Sequence, residues 1–305
     1  MVKHPENIAR PVAAKECAEV PPHYSESRRI VKVFFGRKLA VIGLVIMIAL
    51  IFTAIFAPWL APYDPVKDIN LRQKLQPPSR EHLLGTDTVG RDTLSRVIYG
   101  TRTSLIVGIG AVGTAVVIGQ SLGLIAAYFG GWLFAIVMRS IDALMAVPMI
   151  LNALIVAAVL GGGLKNVIIA IAISIIPIQC RMMCGQALTI KQNDYVLAGR
   201  AVGTSDLRTM LLHIAPNAFP PLLVLTSIDF GQCILMEATL SFLGIGIAPP
   251  LPVWGGMVRD GYPHLLMSPI LSFAPGLAIM LVVFGSNMMG DGLRDAIDPR
   301  LRGAF

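Results

Sequence analysis

From Thr103 to Met138 the chain runs without a charged side chain, and a second uncharged run extends from Leu39 to Ala57. About 20 predominantly apolar residues suffice for one helix to cross a bilayer's hydrocarbon core. In that medium a helix is favoured because it satisfies every backbone N–H and C=O within the segment. Composition agrees: 55% of the 305 residues are hydrophobic and 14% are charged, against about 25% charged in an ordinary soluble domain. With a mean hydropathy of +0.71, the chain reads as an all-α membrane protein.

Further uncharged runs are Ala143 to Leu164, Asn166 to Cys180, Ala238 to Val258 and Leu265 to Gly290, while Asn217 to Ile247 is interrupted only by Asp229 and Glu237. Allowing a turn at Gly130-Gly131-Trp132, the expected partition is six spans, at about 39 to 57, 104 to 129, 142 to 161, 165 to 182, 217 to 246 and 270 to 290. Pro148, Pro177 and Pro275 are expected to kink the third, fourth and sixth. Arg139 and Asp142, three apart at the start of the third, are expected to pair locally.

Positive charge next to a span resists translocation. The eight basic residues from Lys3 to Lys38 stand before the first span, which puts the N-terminus in the cytoplasm, and an even number of spans puts the C-terminus there too. The loop from Pro58 to about Arg102 is itself basic, so the asymmetry is imperfect. A cleaved signal peptide has an apolar core of about 7 to 15 residues near its start, whereas this apolar run is longer and begins only at residue 39. The first 30 or so residues, with Pro21-Pro22 and mixed charge, read as a disordered tail.

Several chemistries find no footing. The net charge of +7 follows from the same positive-inside bias, without the aromatic and basic platform that nucleic acid needs. The dipeptide Gly-Lys is absent, so no P-loop can be built, and no H-E-x-x-H pair stands on a helix. Cys180 and Cys184, four apart, lack the His or carboxylate partners of a good metal site. Packing is the expected role of Cys17, Cys180, Cys184 and Cys233, and no external disulfide is expected.

Against this background the stretch LAGRAVGTSDLRTMLLHIAPN, Leu197 to Asn217, is anomalous: charged, helix-like and broken in its middle. Residues 195 to 202 favour a helix, Gly203 can take the left-handed geometry that ends one, and Ser205 or Asp206 can cap the next. Pro216 would then allow a sharp entry into the fifth span. Two short helices at an angle on the inner membrane face are the expectation.

The wording of that stretch, DYVLAGRAVGTSDLRTMLLHIAPN from Asp194, resembles the cytoplasmic loop of the permeases of binding-protein-dependent ABC importers. Specifically, it resembles the C-type permease of the dipeptide, oligopeptide and nickel group, which words it much like DYVxAARALGASDxRxxxxHILPN. Departures are Gly199 for Ala, Val202 for Leu and Ala215 for Leu, and Gly199 should loosen the first helix slightly. HLLGTDTVGRDTLSRVIYGTRTSL (from His82), MEATLSFLGIGIAPPLPVWGGM (from Met236) and NMMGDGLRDAIDPRLR (from Asn287) resemble the same branch. The likeness runs from about residue 39 to the end.

The resemblance implies a type I ABC importer permease fold in a bacterial cytoplasmic membrane. It implies a cytoplasmic tail over 1-38, a first helix with its external loop over 39-101, a transport core over 102-291 with a coupling loop at about 183-216, and a C-terminal tail over 292-305. It also implies a second, homologous permease, two ATP-binding subunits and a periplasmic or lipid-anchored receptor, with peptides as cargo and nickel or another small solute as the alternative. ATP would be hydrolysed on the partner subunits, and this chain would be neither enzyme nor cofactor carrier. Tyr195, Ala198, Gly199, Arg200, Gly203, Ser205, Asp206, Arg208 and Pro216 would belong to the ATPase-coupling loop. Gly203 would permit its turn, and Arg200, Asp206 and Arg208 would be candidates for polar contact.

Two further features are read from the residues. The second span carries Gly108, Gly110, Gly113, Gly119 and Gly123, which lets helices approach closely in lipid, here by packing within the chain. Asp229 and Glu237, eight apart, lie about 80° from one another around an ideal helix. Ionisable groups inside spans face the bundle or a wet cavity, so either carboxylate could line a translocation path or pair with a Ser, Asn or backbone group on another helix. A stand-alone ion-coupled carrier titrating Asp142, Asp229 and Glu237 is the competing function; the absence of an internal repeat counts against it.

Overall fold

The structure, a computed structural model, describes residues 26–297. Cys17, most of the N-terminal tail and the last residues of the C-terminal tail lie outside that range. Helix α1 (Glu26–Gly36) leads into α2 (Lys38–Leu60), the first span. The disordered tail expected over the first 30 or so residues is thus corrected from residue 26 onward: α1 is helical and lies along α12 (Ile270–Ile297). Arg37 pairs with Asp295 at 3.0 Å where these elements meet.

The second span is one continuous helix over Thr93–Phe129. It comprises α3 (Thr93–Ala115), a single π-helical segment (Val116–Gln120) and α4 (Ser121–Phe129). Asp92 caps its start, its carboxylate accepting from the Ser95 backbone N–H at 2.7 Å. Gly130 and Gly131, at φ +67° and +56°, stop it where few other residues could.

The third span departs from the expected kinked helix. It consists of α5 (Gly131–Met145) and α6 (Met149–Leu160), separate helices that meet at 91°. Pro148 has no N–H to continue the ladder and biases Val147 away from helical geometry. The carbonyls freed at the corner are satisfied by Asn152, whose amide donates to Leu144 O at 2.7 Å and Val147 O at 3.2 Å. Pro177 and Pro275, by contrast, sit inside unbroken helices, α7 (Leu164–Lys191) and α12. The Arg139–Asp142 pair is also replaced: the Asp142 carboxylate is held by Arg181 of α7, so the charge pair ties two helices together instead of closing one turn.

After α7 come α8 (Asp194–Ala201), the short α9 (Asp206–Arg208), a π segment (Thr209–Ile214) and α10 (Ala215–Phe242), then α11 (Trp254–Gly261) and α12. Among the described residues five helices are long and apolar enough to cross a membrane, and the bent α5–α6 pair makes a sixth. The spans alternate in direction, so residues 61–92, 161–163 and 243–269 share one end, the loop end. Residues 130–131 and 192–205 share the other.

Glycines set the closest helix approaches, as small residues do in lipid, where apolar burial gives no drive between helices. A Cβ at Gly43 of α2 would stand 2.7 Å from the Gly285 carbonyl of α12. One at Gly119 would stand 2.8 Å from the Ile176 carbonyl of α7, and one at Gly123 would meet the backbone of Cys180 and Cys184. The glycine pair of the second span therefore packs within the chain, against α7.

The loop end folds inward on its own charges. Asp87 accepts from the Val89 and Arg91 backbone N–H groups, both at 2.9 Å, and from Arg91 Nε at 2.7 Å, with Arg96 Nε 3.5 Å away. Arg96 reaches across to the Pro65 carbonyl at 3.0 Å. Buried His82 shares a 2.9 Å hydrogen bond between its Nδ1 and Asp92 Oδ1 and lies against the Tyr63 ring. Two of the basic residues that blurred the charge asymmetry, Arg91 and Arg96, thus share the Asp87 carboxylate. Trp254, fully buried, closes this end by donating its indole N–H to the Val97 carbonyl at 3.0 Å.

Candidate coupling segment and buried polar junction

The segment singled out by the sequence, 194 to 217, follows α7 and leads into the fifth span. Helix α8 closes in a Schellman arrangement: the Thr204 N–H donates to Gly199 O and the Gly203 N–H to Arg200 O, both at 3.0 Å. Gly203 occupies the left-handed position at φ +84°, the role expected for it. Ser205 is the N-cap residue of the next helix, but its hydroxyl makes no capping bond.

The second helix is not short, and Pro216 makes no sharp entry. From Asp206 to Phe242 the chain is one helix, with the π segment immediately before Ala215 and Pro216. Pro216 cannot donate to the carbonyl four residues back, and the ladder absorbs that gap by widening one turn. Asn217 Nδ2 donates to His213 O at 2.6 Å, covering a second carbonyl there. The segment is therefore one short helix, one turn, and a long helix rooted in the fifth span.

The polar residues expected to reach outward are divided. Asp206 accepts a hydrogen bond from the Tyr128 hydroxyl of α4, and the Arg200 guanidinium lies over the Tyr128 ring, 5.6 Å from its centroid. Both thus hold their own chain, while Arg208 is exposed and makes no salt bridge among the described residues. Tyr195 and Ala198 are exposed, Gly199 is half-buried, and a Cβ there would meet only Thr204 Oγ1 at an ordinary 3.5 Å. What the segment presents most is apolar: Val202 is 85% exposed, and Leu197 and Leu207 are exposed beside it. Val196 alone in α8 is buried, anchoring it to a cluster with Met183, Met210 and Ile214.

The two intramembrane carboxyl groups are separate sites. Asp229 is buried, and its Oδ2 accepts from Gln179 Nε2 of α7 at 2.9 Å. Gln179, fully buried, accepts in turn from Gln120 Nε2 in the π segment of the second span, also at 2.9 Å. A Gln120–Gln179–Asp229 chain thereby joins the second, fourth and fifth spans. Glu237, also fully buried, accepts from Ser241 Oγ at 2.8 Å one turn along its own helix. Its other oxygen has no partner among the described residues, and neither has the Ser104 hydroxyl beside it. Cys180, Cys184 and Cys233 are free and buried. Among the described residues no group of three or more His, Cys, Asp or Glu side chains is placed to hold a metal.

Residues 119–303 match the family described as the binding-protein-dependent transport system inner membrane component. The chain belongs to that family. Residues 25–78 match the N-terminal TM domain of oligopeptide transport permease C, which places the chain in the C-type branch. It is 40% identical over 299 residues to a dipeptide transport system permease protein of Alkalihalophilus pseudofirmus, covering 96% of this chain and 98% of that one. It is 40% identical over 269 residues to a glutathione transport system permease protein of Pectobacterium atrosepticum, covering 88% and 89%. A probable D,D-dipeptide transport system permease protein of Escherichia coli is 41% identical over 275 residues, covering 90% and 92%. The chain is accordingly a multi-pass inner-membrane permease subunit of an ABC importer, with the type I permease fold, and its part in the importer is transport.

Sequence reasoning missed Tyr128, Lys191, Gln120 and Gln179. The two glutamines carried a readable signal, since each interrupts a long apolar run and a lone amide in a span looks for a partner on another helix.

Proposed function

We propose that this permease carries short peptides, delivered by an extracytoplasmic receptor, through a path it forms with a second, homologous permease, driven by ATP hydrolysis on two separate subunits. Support for the cargo is that the relatives described above carry dipeptide, D,D-dipeptide and glutathione transport in their names. The transport core spans about 102-291, and both termini face the cytoplasm, in keeping with the basic cluster ahead of α2.

Residues 194–216 are the surface on which an ATPase docks. The observation that carries this reading is that Val202, Leu197 and Leu207, on either side of a turn held by Gly203, are all exposed, at the end of the bundle opposite the loop end. Exposed apolar side chains outside the lipid-crossing region mark partner surfaces. The docking contact is therefore mainly apolar, with Tyr195 and Arg208 at its rim and Arg200 and Asp206 shaping it from behind. Asp229 acts as a buried tie between helices, and Glu237 as a buried group bonded within its own helix, in keeping with their enclosure by the chain's own spans.

The test is Gly203→Pro in cells expressing the complete transporter. Proline cannot adopt φ +84°, so the turn must rearrange. Normal membrane abundance with both ATPase association and dipeptide uptake lost supports the assignment; association and uptake at wild-type levels refute it.

A further inference from the structure

We propose that Tyr128 is a positioning residue of the transport cycle, its hydroxyl fixing the ATPase-docking segment to the end of the second span so that movement of the segment is passed into that span. This rests on the reading of residues 194–216 as the docking segment.

Three contacts from three elements converge on this one side chain, which is itself buried. Its hydroxyl donates to Asp206 Oδ1 at the start of the helix that becomes the fifth span. Arg200 of α8 lies over its ring at 5.6 Å, and Lys191, the last residue of α7, approaches the same ring at 5.4 Å. Lys191 Nζ also donates to the backbone carbonyls of Tyr128 and, at 3.2 Å, Ala127. Carbonyls in a helix's last turn lack intrahelical partners, so Lys191 closes the end of α4 as Tyr128 holds the segment.

The burial pattern makes this link mechanically significant. Helix α8 sends only Val196 into the body of the protein, so apolar packing alone leaves its orientation weakly determined. The hydroxyl–carboxylate bond is directional and charge-assisted, which gives it the geometric specificity that packing lacks. Beyond Tyr128 the second span is locked to α7 at Gly119 and Gly123. Between those contacts lies Gln120, the first member of the chain through Gln179 to Asp229. Displacement of the segment therefore reaches the α4–α7 crossing and the buried junction above it, instead of being spent in α8.

The experiment uses the complete transporter in proteoliposomes, with both permeases, both ATPases and the receptor. It measures ATP hydrolysed per radiolabelled dipeptide taken up, and cross-linking to the ATPase from a photoreactive amino acid in place of Val202. Tyr128→Phe keeps the ring and its cation contacts and removes only the hydroxyl. The expected result is a cross-link as in wild type and an ATP-to-dipeptide ratio raised about fivefold or more, the lower edge of ordinary coupling between sites. Asp206→Ala should match it, the double variant should be no worse than either single one, and Asp206→Asn, which keeps an acceptor oxygen, should restore most of the coupling. A wild-type ratio in Tyr128→Phe or Asp206→Ala with the cross-link intact overturns the proposal and leaves the docking segment standing. Absence of the cross-link in the otherwise wild-type protein removes the docking segment and the proposal with it. Should Tyr128→Phe fail to reach the membrane, Asp206→Ala, at an exposed position, decides the matter.

Discussion

Replacing Gln179 with leucine removes the central member of the Gln120–Gln179–Asp229 chain at nearly constant volume. Three hydrogen bonds are lost, those to Gln120 and Asp229, each 2.9 Å long, and a longer one to Thr226 Oγ1 at 3.4 Å. Gln120 is only partly buried and can turn toward other partners, whereas Asp229 is buried and loses its donor. A hydrogen bond between membrane helices is worth about 0.6 kcal/mol on average and up to about 1.7, but stranding a buried polar group costs about 1–3 kcal/mol, more when it is charged. We expect Gln179→Leu to destabilise the bundle by about 1–3 kcal/mol, most of it at Asp229. Adding Asp229→Leu should recover a large part of that loss, because an apolar pair needs no partner. The assay is the thermal midpoint of the assembled transporter in nanodiscs, with the midpoint of the double variant falling between wild type and Gln179→Leu. A Gln179→Leu midpoint equal to wild type, or a double variant whose loss is the sum of the two single losses, would refute the reasoning.

Two other outcomes can be checked. Glu237→Gln keeps the size of the side chain and the Ser241 hydrogen bond, so dipeptide uptake should follow the wild-type profile across pH; a displaced profile would put Glu237 on the path. At the loop end, the backbone N–H groups of Lys67 and Val66 donate to Asp64 Oδ1 at 2.9 and 2.8 Å and hold its carboxyl below the usual carboxylate range. A depressed value means the turn is stabilised above the ordinary carboxylate pKa and loses that support as pH falls through the lowered one. Protection of the Val66 and Lys67 amides relative to their intrinsic exchange rates should accordingly fall in acid, and in Asp64→Ala that protection should be low and should not change with pH; protection unaltered by Asp64→Ala would contradict this.

The parts legible in the sequence are those that depend on one residue type at one place. Uninterrupted apolar runs announce spans because lipid leaves the backbone no other option, and Gly203 announces its turn because its backbone geometry excludes side chains. Glycines 119 and 123 likewise announced a close helix approach within the chain, while α7 as its partner is seen only in the structure. Three features needed three dimensions. Pro148 could bend a helix or end it, and the choice fell to Asn152, whose amide covers the carbonyls exposed at a full break. Asp142 had Arg139 within reach along its own helix, and only the placement of α7 shows that Arg181 takes it. Asp206 reads as a free charge on a polar loop until α4 brings the Tyr128 hydroxyl to it, a contact 78 positions distant in sequence. The exposed apolar face proposed for docking escaped notice for a related reason: Val202 and Leu207 look like buried residues until the helix on either side of Gly203 is seen to turn them outward.

The central claim, a permease driven by ATP on partner subunits, is tested most directly by energising uptake in two ways. Proteoliposomes containing this chain, its partner permease, both ATPases and the loaded receptor would be given either internal ATP or an imposed proton gradient, and radiolabelled dipeptide uptake measured. The expected result is uptake with ATP that persists when a protonophore collapses the gradient, and none without ATP. Uptake driven by the gradient alone would contradict the account and favour a carrier that titrates its own carboxylates.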